Sequence, residues 1–279
     1  MAIILDGKTI AKKLEAELAA YSRIREIRLD VILVGDNLAS ATYVRNKHRA
    51  AERVGMQSVI HTLPVHTKSE EIEQLIEELN SNEEVDGILL QLPLPEQLNS
   101  EKLLDSIHPM KDVDVFHPEN AGLAYLGRPR IWPCTPSGIL RLLHEYEIDI
   151  VGKHAVVVGR SNIVGKPMAA LLQHANATVT VCHRMTKRLQ DFTRQADILV
   201  VAAGSPGLIG KDDIKPGAVV IDVGSEFVNG KLTGDVRFAE VEPIASAITP
   251  VPGGVGPLTI ASLLSNTVRL ASLRRGWAN

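Results

Sequence analysis

The stretch HAVVVGRSNIVGKPM, His154 to Met168, sets three consecutive valines before Gly159, continues through Arg160, Ser161, Ile163 and Val164, and returns to glycine only at Gly165. A short apolar run bounded by glycine reads as a buried strand entering a tight turn, and the residues from Gly165 onward read as a helix. Strand, turn and helix in that order suit a nucleotide phosphate, because the first N–H groups of a helix have no partner inside it. Five residues separate the two glycines, so the spacing departs from G-x-G-x-x-G, and a glycine turn without a ligand stays open as a reading. A Walker loop is excluded, since Lys166 is followed by Pro167 rather than by serine or threonine.

Further along, a site for an unphosphorylated dinucleotide would place a carboxylate about 20 residues beyond the first glycine. Here the chain reads VCHRMTKR, with His183 and Arg184. Arg184 and Arg160, with Ser161, instead suit a 2'-phosphate, which points to NADP rather than NAD; solvated surface arginines are the alternative. The following VAAGSPGLIG would supply a backbone wall at Ala203 and Gly204 near the nicotinamide or ribose, although small residues also serve close packing. The apolar runs ATVTVCH, ADILVVAA and AVVIDVG complete a second parallel sheet with its own helices.

Upstream, strand and helix also alternate. Ile10 to Tyr21 reads as a helix, RLDVILVG as a strand, Ser40 to Gly55 as a helix ended by glycine, and MQSVIHTLP as a strand. Ser69 to Asn80 then reads as a serine-capped helix, and DGILLQLPLP as another strand. Between His108 and Gly138 prolines and glycines accumulate, marking a boundary or an active-site crossing. The chain finishes with the stiff turn TPVPGGVGP and a long amphipathic helix. The fold class expected is α/β, with two α/β domains, the second Rossmann-like.

Bulk composition excludes several classes. Thirty basic against 33 acidic residues give a formal charge of −3, no argument for a nucleic-acid partner. Two cysteines, Cys134 and Cys182, argue against a disulfide framework and a cysteine-based zinc site, and the nine histidines form no HExxH pattern, so no metal is expected. No run reaches the roughly 18 apolar residues of a membrane span, and Asp6 stands where a signal peptide would be basic or apolar, so the chain is expected to be soluble.

Tyr43 and Lys47 in YVRNK are four residues apart and share a helical face. A tyrosine ring can stack on a planar heterocycle while the amine acts on the atom being transformed. Gln91, at the strand end GILLQLP, offers the amine a donor and an acceptor. A lysine hemmed in by aromatic and amide groups loses solvation, which suits it to proton transfer near neutral pH. Asp114, in KDVDVFHP, would suit the paired N–H donors of an aminopyrimidine; Asp112 rivals it, and both also fit turn-capping roles.

Six stretches, YVRNK (43–47), GILLQLPLP (87–95), KDVDVFHPENAG (111–122), PCTPSG (133–138), VVVGRSNIVGKPM (156–168) and ITPVPGGVGPLT (248–259), together resemble the bifunctional methylenetetrahydrofolate dehydrogenase/methenyltetrahydrofolate cyclohydrolase family. They run in the family's order across nearly the whole chain. The resemblance implies a folate-binding catalytic domain over 1–122, an NADP-binding domain over 123–255, a cleft between them, and a helix over 256–279 packing back on the first. It implies that Tyr43 stacks on the folate, Lys47 is the central catalytic residue, Gln91 partners it and Asp114 binds the pterin. Pro252, Gly253 and Gly254 would line the site, and Arg160 and Ser161 would hold the cofactor phosphate. The partners implied are tetrahydrofolate derivatives and a second copy of the chain, as a homodimer paired through the cofactor domain.

Two departures stand out. The family usually has glycine after the pterin-binding aspartate, where this chain has Val115, a β-branched residue that would be strained if φ is positive there. It also commonly reads DVGIN where this chain has Ser225 and Glu226 after DVG. The activity implied is oxidation of 5,10-methylenetetrahydrofolate by NADP+, then hydrolysis of the methenyl product to 10-formyltetrahydrofolate. The alternatives are a single-activity NADP-dependent dehydrogenase acting on another small substrate, with no hydrolase activity, and a catalytically impaired nucleotide-binding paralogue.

Overall fold

The computed structural model describes residues 1–22 and 25–277. The chain forms two compact units: residues 12–134 with 260–279, and residues 1–11 with 135–259.

In the first, the three-stranded parallel sheet runs Gln57–Leu63, Arg28–Val34, Gly87–Leu90, with Arg28–Val34 in the centre. Burial on both faces explains its near-continuous apolar sequence. Helix Leu38–Val54 starts two residues before the expected Ser40, because the Asn37 carboxamide oxygen accepts the Ser40 N–H (3.0 Å). It stops at Gly55, whose φ of 82° and N–H bonds to the Ala51 and Glu52 carbonyls close the last turn. Helix Ser69–Ser81 is not capped by its serine: Ser69 is the first helical residue, and the Glu71 carboxylate reaches back to the Lys68 N–H (3.1 Å). At its far end the Lys111 ammonium donates to the carbonyls of Leu79, Asn80 and Asn82 at 2.7–2.8 Å, while burial pushes its pKa down to about 8.

The C-terminal helix, Val255–Arg275, is not amphipathic as expected; within it only Arg269 and Leu273 are exposed. Leu263, Leu264, Leu270 and Ala271 share one core with Leu29, Val31 and Val44. Asn266 donates from its amide to the carbonyls of Val113 (2.9 Å) and Trp132 (2.8 Å), and Arg274 and Arg275 converge on the fully buried Asp86 at 2.6–2.8 Å. A carboxylate so buried is tolerable only with such partners.

The second unit is a six-stranded, all-parallel sheet in the order Ile3–Ile4, Ala247–Ile248, Val219–Asp222, Ile198–Val201, His154–Val158, Thr178–Cys182. Its first strand comes from residues expected in the other domain. The cause is local: Ile3 and Leu5 donate to the carbonyls of Ser246 (2.8 Å) and Ile248 (2.9 Å), and the Leu5 side chain is fully buried. The crossing helix Gly165–His174 connects the parallel strands His154–Val158 and Thr178–Cys182, as such a sheet requires. An exposed hairpin, Glu226–Val228 with Lys231–Thr233, stands apart from the sheet. No described helix is long and apolar enough to cross a membrane.

Candidate active site

Helix Leu38–Val54 presents Tyr43 and Lys47 one turn apart, and the strand Gly87–Leu90 delivers Gln91 opposite them. Lys47 is 6% exposed; its ammonium donates to Gln91 Oε1 at 3.1 Å and lies 5.9 Å from the centre of the Tyr43 ring. Gln91 is itself oriented, its Nε2 donating to the Leu92 carbonyl (2.6 Å), so its oxygen is the atom turned to the lysine. Sequence spacing places only Tyr43 and Lys47 together, on one helical face; the fold brings Gln91 to them.

The two rival aspartates take different positions. Asp112 is 2% exposed and accepts the N–H groups of Phe116 (3.1 Å) and His117 (3.0 Å) and the Asn120 carboxamide (2.9 Å). Burial nevertheless pushes its pKa up. It is spent on holding the 112–120 loop, which leaves Asp114, half-buried, as the carboxylate that loop presents. Asp114 lies beside the Cys134 thiol, whose pKa is pushed well up by burial first and by that neighbouring charge second. Cys134 Sγ also donates to the Val113 carbonyl (3.3 Å). Sequence reading had assigned neither Cys134 nor Asn120 a role; both are buried.

Val115 has φ of 65°. A β-branched residue there carries backbone strain of roughly 1–3 kcal/mol. Its side chain is 3% exposed in the core with Val113 and Ile131, and burying a valine returns about 1.5–3 kcal/mol, so the two effects nearly cancel.

In the other unit, the strand His154–Val158 ends at Gly159, with φ of 129°, where a Cβ would overlap the Ala202 carbonyl. A Cβ at Gly165 would overlap the Gly159 carbonyl, so both glycines are required by close backbone approach. The helix starts at Gly165 as expected, but N–H groups at its start already have acceptors. The N–H groups of Val164 (3.2 Å) and Gly165 (3.4 Å) bond to Ser161 Oγ, and that of Lys166 to the Ser161 carbonyl (3.0 Å). Ser161 thus takes up donors that would otherwise face a phosphate. What remains for an anion is the exposed rim: Arg160, Ser161 and Ile163 on the turn and Arg184 after the next strand. Among the described residues neither arginine is ion-paired. Two uncommitted cations beside a glycine turn fit a phosphorylated dinucleotide. His183 is fixed nearby, its Nδ1 accepting the Met185 N–H (3.2 Å) and its own N–H donating to Thr186 Oγ1 (2.9 Å). Ala203 and Gly204 are exposed and turn their N–H groups inward on to Asp235, a residue sequence reading passed over.

Around Pro252, the glycines approach the chain itself. A Cβ at Gly7 would overlap the Gly254 carbonyl, and Gly253, with φ of 113°, accepts the Lys8 N–H at 3.2 Å. Pro252 is exposed, whereas both glycines are buried.

Two family models match the chain: the catalytic domain of tetrahydrofolate dehydrogenase/cyclohydrolase over residues 5–114, and its NAD(P)-binding domain over 133–275. The chain is 54% identical to the bifunctional protein FolD of Methanospirillum hungatei over 277 residues, covering 98% of this chain and 99% of that protein. It is similar to the crystal structure of the bifunctional methylenetetrahydrofolate dehydrogenase/cyclohydrolase from Campylobacter jejuni, at a TM-score of 0.95 and 48% identity, covering 98% and 100% of the two chains. The Trypanosoma brucei enzyme, solved with NADP and an inhibitor, is similar at a TM-score of 0.94 and 39% identity, with 99% of each chain covered.

Proposed function

Because the chain belongs to the tetrahydrofolate dehydrogenase/cyclohydrolase family, we propose that it performs both reactions the family name denotes, with its own residues divided between them as follows. In the first reaction 5,10-methylenetetrahydrofolate is oxidised to the methenyl cation. NADP+, when bound, takes up the hydride itself, so the protein's task is alignment. Arg160, Ser161 and Arg184 hold the phosphorylated end of the dinucleotide; Gly159 and Gly165 give its backbone room, with Ile163, Val164, His183, Ala203 and Gly204 around it. Tyr43 stacks on the folate and Asp114 binds the N–H donors of its pterin ring. Pro252, Gly253 and Gly254 complete the lining.

In the second reaction water adds to the methenyl carbon and gives up one proton; the bond from that carbon to one ring nitrogen then breaks as the proton of the resulting hydroxyl is passed to that nitrogen, leaving the formyl C=O of 10-formyltetrahydrofolate. Lys47 handles both transfers. Gln91, itself oriented by the Leu92 carbonyl, keeps the amine aimed. The observation that carries this reading is the 3.1 Å contact between a 6% exposed lysine and an oriented carboxamide on the face that also bears Tyr43. The finer partner and location readings are a homodimer paired through the cofactor-binding unit, in the cytoplasm.

Two spectrophotometric measurements test it: NADP+ reduction with methylenetetrahydrofolate, and decay of methenyltetrahydrofolate without cofactor. Lys47→Met is expected to lower the second rate by about 10²-fold or more while folate binding persists. Full methenyl hydrolysis by that variant would remove the lysine from the mechanism.

A further inference from the structure

Asp235 is fully buried, and its two oxygens accept three consecutive backbone N–H groups, those of Ala203 (2.7 Å), Gly204 (3.0 Å) and Ser205 (2.7 Å). These residues form the exposed loop after the strand Ile198–Val201. A trans peptide points each carbonyl away from the N–H that follows it. Turning the N–H groups of Gly204 and Ser205 inward therefore turns the Ala203 and Gly204 carbonyls outward. The anchor is built from behind: Asp222, 3% exposed, accepts the N–H groups of Asp235 (2.9 Å), Val236 (3.0 Å) and Gly224 (2.9 Å). A Cβ at Gly234 would overlap the Asp222 carboxylate, and one at Gly224 would overlap the Asp235 N–H, so neither aspartate has room to shift.

We propose that Asp235 is the positioning residue of the cofactor site: its carboxylate fixes loop 203–205 so that the Ala203 and Gly204 carbonyls face the bound dinucleotide and accept its O–H or N–H donors. This rests on the assignment of Ala203 and Gly204 to the NADP site. Asp235 does not touch the cofactor and acts only through the loop. The cyclohydrolase reaction needs no dinucleotide, so the same chain carries its own control.

Asp235→Asn puts an amide donor against backbone donors and strips the loop of part of its anchor. It is expected to raise the KM for NADP+ about tenfold or more and to lower the ratio of dehydrogenase to cyclohydrolase turnover. Both activities falling in proportion, or an unchanged KM for NADP+, would overturn the proposal. Should that variant not fold, Gly204→Ala serves: it strains a φ of 60° in open space, where the nearest atom to its methyl is Glu226 Oε1 at 4.0 Å, and must also raise the KM for NADP+. An unchanged KM in Gly204→Ala sinks the loop's role as well. Failure of the wild-type chain to reduce NADP+ would instead sink the functional assignment beneath it.

Discussion

Asp112 and Asp235 are two buried carboxylates that each hold a loop through three hydrogen bonds, one in each unit of the chain. They differ in reach. Asp112 binds its own neighbourhood, four, five and eight residues ahead, and shapes the loop that carries Asp114. Asp235 binds residues 30 to 32 positions behind it, so it fixes a loop it did not come from. The near clamp gives a local turn that can form with little other structure. The distant clamp exists only once its sheet is assembled. By the roles proposed for them, side chains do the recognising beside the first, at Tyr43, Lys47 and Asp114, and backbone carbonyls beside the second.

The strongest way to break this comparison is Asp112→Ala. It removes the acceptor of two backbone N–H groups and one of the two partners of the buried Asn120 amide nitrogen, and is expected to cost about 3 kcal/mol or more of stability, read by denaturant unfolding. NADP+ affinity, measured by titration, should be nearly kept; a matching loss would mean the clamps do not serve separate ligands.

A somewhat smaller effect concerns pH. Burial outweighs the three backbone donors to Asp222 and pushes its pKa up to about 6, above the ordinary 3.8. Its contribution to stability is therefore full below about pH 4 and is lost as pH rises through about 6, amounting to about 3 kcal/mol at 1.36 kcal/mol per pH unit. Subtracting the unfolding profile of Asp222→Asn from that of the wild type should leave a falling slope between pH 4 and 6. A flat difference would show that the backbone donors win.

The smallest effect belongs to Val115→Gly. Relief of strain, of order 1–3 kcal/mol, stands against loss of burial, about 1.5–3 kcal/mol, and the entropy of glycine, roughly 0.5–1 kcal/mol, so the net change in stability should be a loss of about 1 kcal/mol. A loss of 3 kcal/mol would show that packing, not backbone conformation, governs that loop.

The sequence made legible what local pattern encodes. Alternating apolar strands and helices predicted parallel sheets, and the glycines at 159 and 165 marked a turn that tolerates no side chain. The cost of a β-branched residue at 115 was readable because positive φ was the one conformation that would make it matter, and that conformation is present. What escaped was non-local. The membership of Leu5 in the second sheet depends on pairing with residue 248, and a two-residue strand has no pattern to read. The C-terminal helix looked amphipathic because Asn266 and Thr267 are polar, yet both are buried and Asn266 is bonded to the Val113 and Trp132 carbonyls. Asp235 looked like any loop aspartate, since nothing near it in sequence names its partners. The roles proposed for Tyr43, Lys47, Gln91 and Asp114 came from family resemblance more than from spacing, because a helical Tyr–Lys pair is common on protein surfaces.

The exchange of ends between the two units has a consequence for how the molecule is made. The segment Met1–Ala11, synthesised well before the strand it pairs with, completes its sheet only when residues 247 and 248 exist, and the core around Leu29 and Val44 waits for Leu263 and Leu270. Each unit thus joins a long stretch of chain to a short segment more than a hundred residues away in sequence. Partial translation products hold open sheet edges and uncovered core, the kind of exposure that chaperones bind. An end-to-end cut into two independent pieces would leave each one missing a part.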